Sequence, residues 1–149
     1  MKTISLLAAL LATTLCLALQ AGTPGQDKEF LDKYKAAFEK GDKATLESFL
    51  YIKDPNPLAL DFYKMKLSEG AGTVKIAQIE LLDLTPEDVK QATEVQTGPD
   101  GSKAQMPLKP IKKLKITYAK ESGSGTSWTT TLVAEKDGKY VIPVPAALK

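Results

Sequence analysis

Apolar residues recur along this chain in three rhythms. Between Ile4 and Leu19 they run on with no charge among them. From Phe30 to Leu67 they recur at helical spacing. From Val74 onward they cluster or alternate as strands do. Phe30, Leu31, Tyr34, Ala37 and Phe38 fall at i, i+1, i+4, i+7 and i+8, which predicts a helix opening at Asp27 with one apolar stripe. Asp27 and Glu29 suit its first turn, Lys40 its last, and Gly41 its stop. GTPGQ (Gly22–Gln26) reads as a polar spacer in front of it. Asp42 is placed to cap a second helix carrying Leu46, Phe49 and Leu50 on one side. Asn56 before Pro57 predicts a third helix start, because a pre-proline residue is pushed to extended geometry and proline suits the first helical position. In that helix Leu58, Phe62 and Met65 make one stripe, widened by Leu60, Tyr63 and Leu67. A stripe so wide predicts two packing neighbours.

The period then changes. Val74–Leu84 is rich in apolar and β-branched residues on both faces, which predicts a central strand. Thr85–Asp88 reads as a capped helical turn or a tight turn. ATEVQT and SKAQM predict a weak hairpin turning at Pro99–Gly101, and Pro107 and Pro110 mark it as an edge. Leu114, Ile116 and Tyr118 alternate with Lys113, Lys115 and Thr117. After the SGSG loop (Ser122–Gly125), Trp128, Thr130, Leu132 and Ala134 share one strand face. Tyr140, Ile142 and Val144 share a face beyond the Asp137–Lys139 turn. This is an antiparallel meander with one buried side. The whole predicts an α+β fold: three N-terminal helices packed on a curved antiparallel sheet of four to six strands. Residues 1–21 form a leader, 22–26 a spacer and 27–149 a single α+β domain.

The leader reading rests on Lys2, the short uncharged run and the small residues after it, the pattern of a secretory signal peptide. The run is too short for a spanning helix, which needs roughly 20 apolar residues. Cleavage is expected after Ala21, with Ala18 as the alternative site. Leu15 sits where a lipoprotein leader needs a small residue before Cys16, which argues against lipidation. The mature chain is therefore expected to be secreted or periplasmic, with no stable membrane span.

Composition narrows the chemistry. All 20 basic residues among the 149 are Lys, and there is no His. That removes an imidazole base, His-ligated metals and bidentate guanidinium clamps. Loss of the leader removes Cys16 and Lys2, leaving 128 residues with 19 lysines against 18 acids, a net charge of +1. Thiol catalysis, cysteine-bound metals and disulfides drop out together. A charge near zero gives no reason to expect nucleic acid. No motif implies a metal or a cofactor.

FLDKYKAAFEKGDKATLESFL and SWTTTLVAEKDGKYVIPV together resemble the nuclear transport factor 2-like (cystatin-like cone) superfamily, and the chain is similar to its small secreted bacterial members. The first segment resembles the family's opening helix, Gly-Asp and second helix. The second resembles its closing hairpin, in which a Trp/Thr-rich strand turns through Asp-Gly. The motifs cover 39 of the 128 mature residues. One departure is plain: many members place a β-hairpin before the third helix, and here the helix follows directly. The resemblance implies a sheet curled around a helix, with a pocket at the open end. Some members are enzymes and others only bind. With no His, no catalytic residue transfers.

Tyr63, Tyr118, Trp128 and Tyr140 are the aromatics expected to meet inside such a cone. They would line a ligand pocket or simply fill the core. Gln78 and Glu80 share a strand face; Glu80 would be a base if buried, and a rim residue if not. Lys109, Lys112, Lys113, Lys115 and Lys120 form a basic stretch that reads as a solvated strand face. The leading reading is a non-enzymatic module binding a small molecule or protein partner through the pocket or sheet face. Two others stay open: an acid/base enzyme, hydrolase or isomerase, using a carboxylate or tyrosine, and an assembly protein forming a homodimer through the sheet face. The leader reading has a direct check. Expressed in a host with a general secretory route, the chain should lose 21 residues and begin at Gly22 by intact mass and N-terminal sequencing. Recovery of the unprocessed 149-residue chain in the membrane fraction would refute it.

Overall fold

Thr23 sets where the first described helix begins. In a computed structural model, which describes residues 22–119 and 127–148, its hydroxyl accepts from the Gln26 N–H while Gln26 Oε1 accepts from the Thr23 N–H. This reciprocal capping box, with Pro24 as first helical residue, starts helix α1 (Pro24–Lys40). The segment expected as a spacer therefore supplies the first helical turn. The Thr-Pro-x-Gln signal outranks the acids at Asp27 and Glu29. The leader with Cys16, Lys120 and the SGSG segment lie outside the described residues.

Helix α1 stops at Gly41, whose φ of 69° is the left-handed geometry glycine tolerates. Gly41 lies back to back with Gly72, also left-handed at φ 81°. A Cβ on either would come within 3.3 Å of the other's Cα. Gly72 N–H donates to Phe38 O at 2.8 Å, so the α1 stop is fastened to a distant turn. Asp42 then caps α2 (Lys43–Glu47), and Asn56 with Pro57 opens α3 (Pro57–Ser68) as expected. The second helix is shorter than expected: Phe49 and Leu50 lie beyond it, and Leu50 is in β1 (Leu50–Tyr51), where pairing with Ile142 and Pro143 holds the chain extended.

Strand β2 (Ile76–Leu82) leads into α4 (Pro86–Thr93), a fourth helix held by a Thr85/Asp88 capping box where a single turn was one expectation. The hairpin β3 (Gln96–Thr97) and β4 (Lys103–Gln105) forms with the expected turn. Then come β5 (Lys112–Tyr118), β6 (Ser127–Lys136), β7 (Lys139–Pro143) and β8 (Ala146–Ala147). The molecule is mixed α+β. An open, curved five-stranded sheet runs in the order β1-β7-β6-β5-β2, with a small sheet β3-β4-β8 beside it. The β1–β7 pair is parallel, so the main sheet is not wholly antiparallel. Among the described residues no helix is long and apolar enough to cross a membrane.

Two expectations about faces fail. Strand β2 is an edge, not central. A bulge between Ile76 and Gln78 puts Ile76 in the core, while Ile79 and Leu81, opposite Ile116 and Leu114, take the inner face. Gln78, Glu80 and Leu82 are left outward. In β6 the inner positions are Thr129, Thr131 and Val133, not Trp128, Thr130 and Leu132. Register decides this. Thr129 and Thr131 stand opposite buried Ile116 and Leu114, and directly paired residues share a face. Both faces of SWTTTLVAEK carry threonines, so polarity alone did not separate them.

The core lies between α1 and the inner sheet face. Phe30, Tyr34 and Phe38 pack with Leu46, Leu114, Ile116, Val133 and Ile142. Phe38 is wholly buried, and cutting such a side chain to alanine costs about 3–5 kcal/mol. Outside the sheet, Lys113 Nζ meets Asp88 Oδ2 at 2.6 Å with both side chains under one-fifth exposed, tying α4 to β5. The Lys113 ammonium first, then the Thr85 N–H and hydroxyl, hold the Asp88 carboxyl at about 2. A carboxyl lowered by folding from about 3.9 stabilises the fold above that value, and the contribution disappears as pH falls to about 2. The melting temperature should therefore drop between about pH 4 and 2 more steeply for the wild type than for Asp88→Asn. Parallel slopes in thermal denaturation would show that the pair contributes nothing.

Candidate functional site

The inner sheet face is filled. Tyr34, Tyr63, Lys66, Leu67, Leu114, Ile116, Thr129 and Thr131 enclose a cavity of about 10 Å³, room for no more than about one water. Tyr34 and Tyr63 close it, and burial pushes both phenols above their ordinary value. Lys66 comes in from α3 and donates to Thr130 O at 2.6 Å; burial lowers its ammonium pKa. Concave space lies instead at the surface: at the two ends of α3, and beside the N-terminal half of α1, where Phe30, Lys33, Phe49 and Tyr140 line a depression of about 510 Å³.

The N-terminal end forms one wall of a groove of about 320 Å³. Leu58, Phe62 and Tyr63 line it together with Pro99 of the hairpin turn, Ala104 and Pro145. Among the described residues no charged side chain lines it. Asn56, 6% exposed, binds the walls together: its Oδ1 accepts from Ala59 N–H at 3.1 Å and its Nδ2 donates to Ser102 Oγ at 2.9 Å. Ser102 in turn donates to Asp100 Oδ1 at 2.6 Å. Cap, helix and hairpin are thus one hydrogen-bonded unit. Tyr63 stands between this groove and the inner cavity, its ring edge-on to Phe62 at 6.0 Å.

Leu58, Phe62 and Met65, the stripe expected to be buried, are 51%, 51% and 57% exposed. Leu60, Tyr63 and Leu67 make the core contacts instead. A 12-residue helix with apolar residues over so much of its circumference has more apolar surface than one sheet face can cover. That excess was the readable signal for an exposed stripe. The sequence expectation assigned it to a second packing neighbour.

The C-terminal end of α3 borders a cleft of about 370 Å³ that contains two of the nominated residues, Tyr118 and Trp128, beside Lys66, Glu69, Ser127 and Thr129. Trp128 is 62% exposed. Tyr118 packs on Phe38 at 5.6 Å; burial first, then Glu69, raises its phenol pKa.

The other nominated residues do not join them. Tyr140 sits at the opposite end of α1, edge-on to Phe30 at 5.6 Å and donating to Asp27 Oδ1 at 2.6 Å. Burial, then that carboxylate, raise its phenol pKa. The four aromatics expected to share one interior are therefore spread over a groove, a cleft and a helix start. Gln78 and Glu80 face outward, and Glu80 pairs with Lys115 at 3.5 Å directly across the ladder. Two more lysines of the basic stretch are paired in the same way, Lys112 with Asp83 and Lys113 with Asp88. Among the described residues no group of three or more His, Cys, Asp or Glu converges as a metal site would require.

No family model, curated protein or solved structure matches the chain. The geometry gives Tyr140 a structural role that can be checked. Replacing it with Phe keeps the ring contacts and removes the bond to Asp27. It should cost about 1–2 kcal/mol in chemical denaturation, because the acceptor is a half-buried carboxyl group left without its donor. An unchanged midpoint would mean that water replaces the hydroxyl freely.

Proposed function

We propose that this protein is exported and acts as a non-enzymatic binding module of the nuclear transport factor 2-like cone type. In this reading it holds a small, uncharged, mostly apolar ligand in the groove between α3 and the β3–β4 hairpin. The observation that carries the proposal is the contrast between a closed interior, about 10 Å³, and an apolar groove of about 320 Å³ walled by half-exposed Leu58 and Phe62. That volume lies at the small end of the 300–1,000 Å³ typical of ligand sites. Half-exposed apolar side chains grouped around a concavity are a usual mark of binding surface. A lining without charge disfavours an ionic ligand, whose desolvation it would not repay.

Proton-transfer chemistry has weaker support. The phenols of Tyr34, Tyr63, Tyr118 and Tyr140 are all held above their ordinary value, so at neutral pH they donate hydrogen bonds but do not serve as bases. Self-association is a second reading, favoured by Met65: it continues the exposed stripe but lies outside the groove lining. A two-fold contact along α3 would cover it.

Titration of the mature protein with N-phenyl-1-naphthylamine, an uncharged naphthalene fluorophore, tests the first reading. Fluorescence should rise and saturate at one probe per chain. Phe62→Ser should weaken binding roughly tenfold or more without lowering the melting temperature, since Phe62 is already half in water. Non-saturating fluorescence, or equal binding by the variant, would remove the groove as the site. A mass that rises with concentration, and stays monomeric in Met65→Glu, would favour the self-association reading.

A further inference from the structure

We infer that the cleft at the C-terminal end of α3 is a second binding site, one that takes a neutral glycan stacked on Trp128. The groove at the other end of the helix plays no part in this inference.

An indole left 62% exposed carries a large apolar face that gains nothing from water. Its π-face is electron-rich, so it attracts positively polarised hydrogens as it attracts cations. A pyranose ring presents such hydrogens: one face is a patch of C–H groups, and its edge is a row of hydroxyls. The edge needs partners that both donate and accept. The cleft supplies the Tyr118, Ser127 and Thr129 hydroxyls, each able to do both, and the Glu69 carboxylate as an acceptor.

Two features disfavour other occupants. Lys66, which donates to Thr130 O at 2.6 Å, and Glu69 are the charged residues lining the cleft. One charge of each sign leaves the lining with no net charge to attract an ion, which suits a neutral occupant. That same Lys66 contact blocks addition of a peptide strand. Strand β7 pairs with β6 only over Ala134–Lys136, so Ser127–Val133 has β5 on one side and no partner strand on the other among the described residues. A charged amine seated on the open edge is a standard defence against further strand pairing. What the edge leaves accessible is side-chain chemistry: one indole, several hydroxyls and a carboxylate.

Trp128 is the only tryptophan of the chain, so its emission reports this cleft alone. The mature protein is titrated with three uncharged hexasaccharides (cellohexaose, chitohexaose and maltohexaose) and with anionic hexagalacturonate. At least one neutral hexasaccharide should shift and saturate the emission. By calorimetry Trp128→Ala should bind that sugar at least tenfold more weakly at an unchanged melting temperature, as expected for an exposed side chain. Tyr118→Phe should weaken it less, and Glu69→Gln should narrow the gap between neutral and anionic sugars. Phe62→Ser should leave the response intact, which separates this site from the groove. An unmoved emission with all three neutral sugars overturns the inference. So does equal binding by Trp128→Ala, or tighter binding of hexagalacturonate.

Discussion

The structure depends on burying the aromatic row of α1 against the inner face of the five-stranded sheet. Phe30, Tyr34 and Phe38 occupy one side of that helix, and the positions beneath them are Leu114, Ile116, Val133 and Ile142. The chain has a single cysteine, so no internal disulfide limits its unfolded state. Tight apolar packing must supply the stability instead, at about 25 cal/mol per Å² of apolar surface removed from water. Phe30 sits edge-on to both Phe49 and Tyr140, at 5.2 and 5.6 Å, which joins the start of α1 to β7 and to the segment after α2. At the other end the Gly41–Gly72 contact brings two turns together closely enough for Phe38 to be sealed.

Among the described residues that packing leaves no chamber inside the molecule. A sheet curved over a helix with large rings leaves room for about one water, so the interior is core and not a binding chamber. Helix α3 is then the element with apolar surface to spare. Its Leu60, Tyr63 and Leu67 complete the core, and its Leu58, Phe62 and Met65 remain in water. The groove and the cleft lie at its two ends because the neighbours there, a short hairpin and an incompletely paired strand, cover the helix only in part.

Local signals were legible where chemistry and position coincide within a few residues. Asn56-Pro57 and Asp42 cap helices as expected, and the Pro99–Gly101 turn forms its hairpin. The alternation of Leu114, Ile116 and Tyr118 against the lysines puts Leu114 and Ile116 in the core. Signals were less legible where two cues overlap: the acids at Asp27 and Glu29 mark a first turn, but the Thr23/Gln26 capping box starts the helix three residues earlier. The candidate sites were less legible still. Tyr118 and Trp128 come together, but at a surface cleft. Tyr140 and Glu80 spend their polar groups on Asp27 and Lys115.

By itself the sequence determined most of the element types, most of their caps, the α+β class and the absence of His and Arg from the chain. Each of these depends on residue identity or on spacing within one segment. Tertiary structure alone decided which face of β6 turns inward, that β2 is an edge, and which stripe of α3 stays wet. Those outcomes depend on register and on competition for a limited buried area. A one-residue bulge before Gln78 redirects a strand face, and one sheet surface cannot cover every apolar residue of a helix that carries them on two sides.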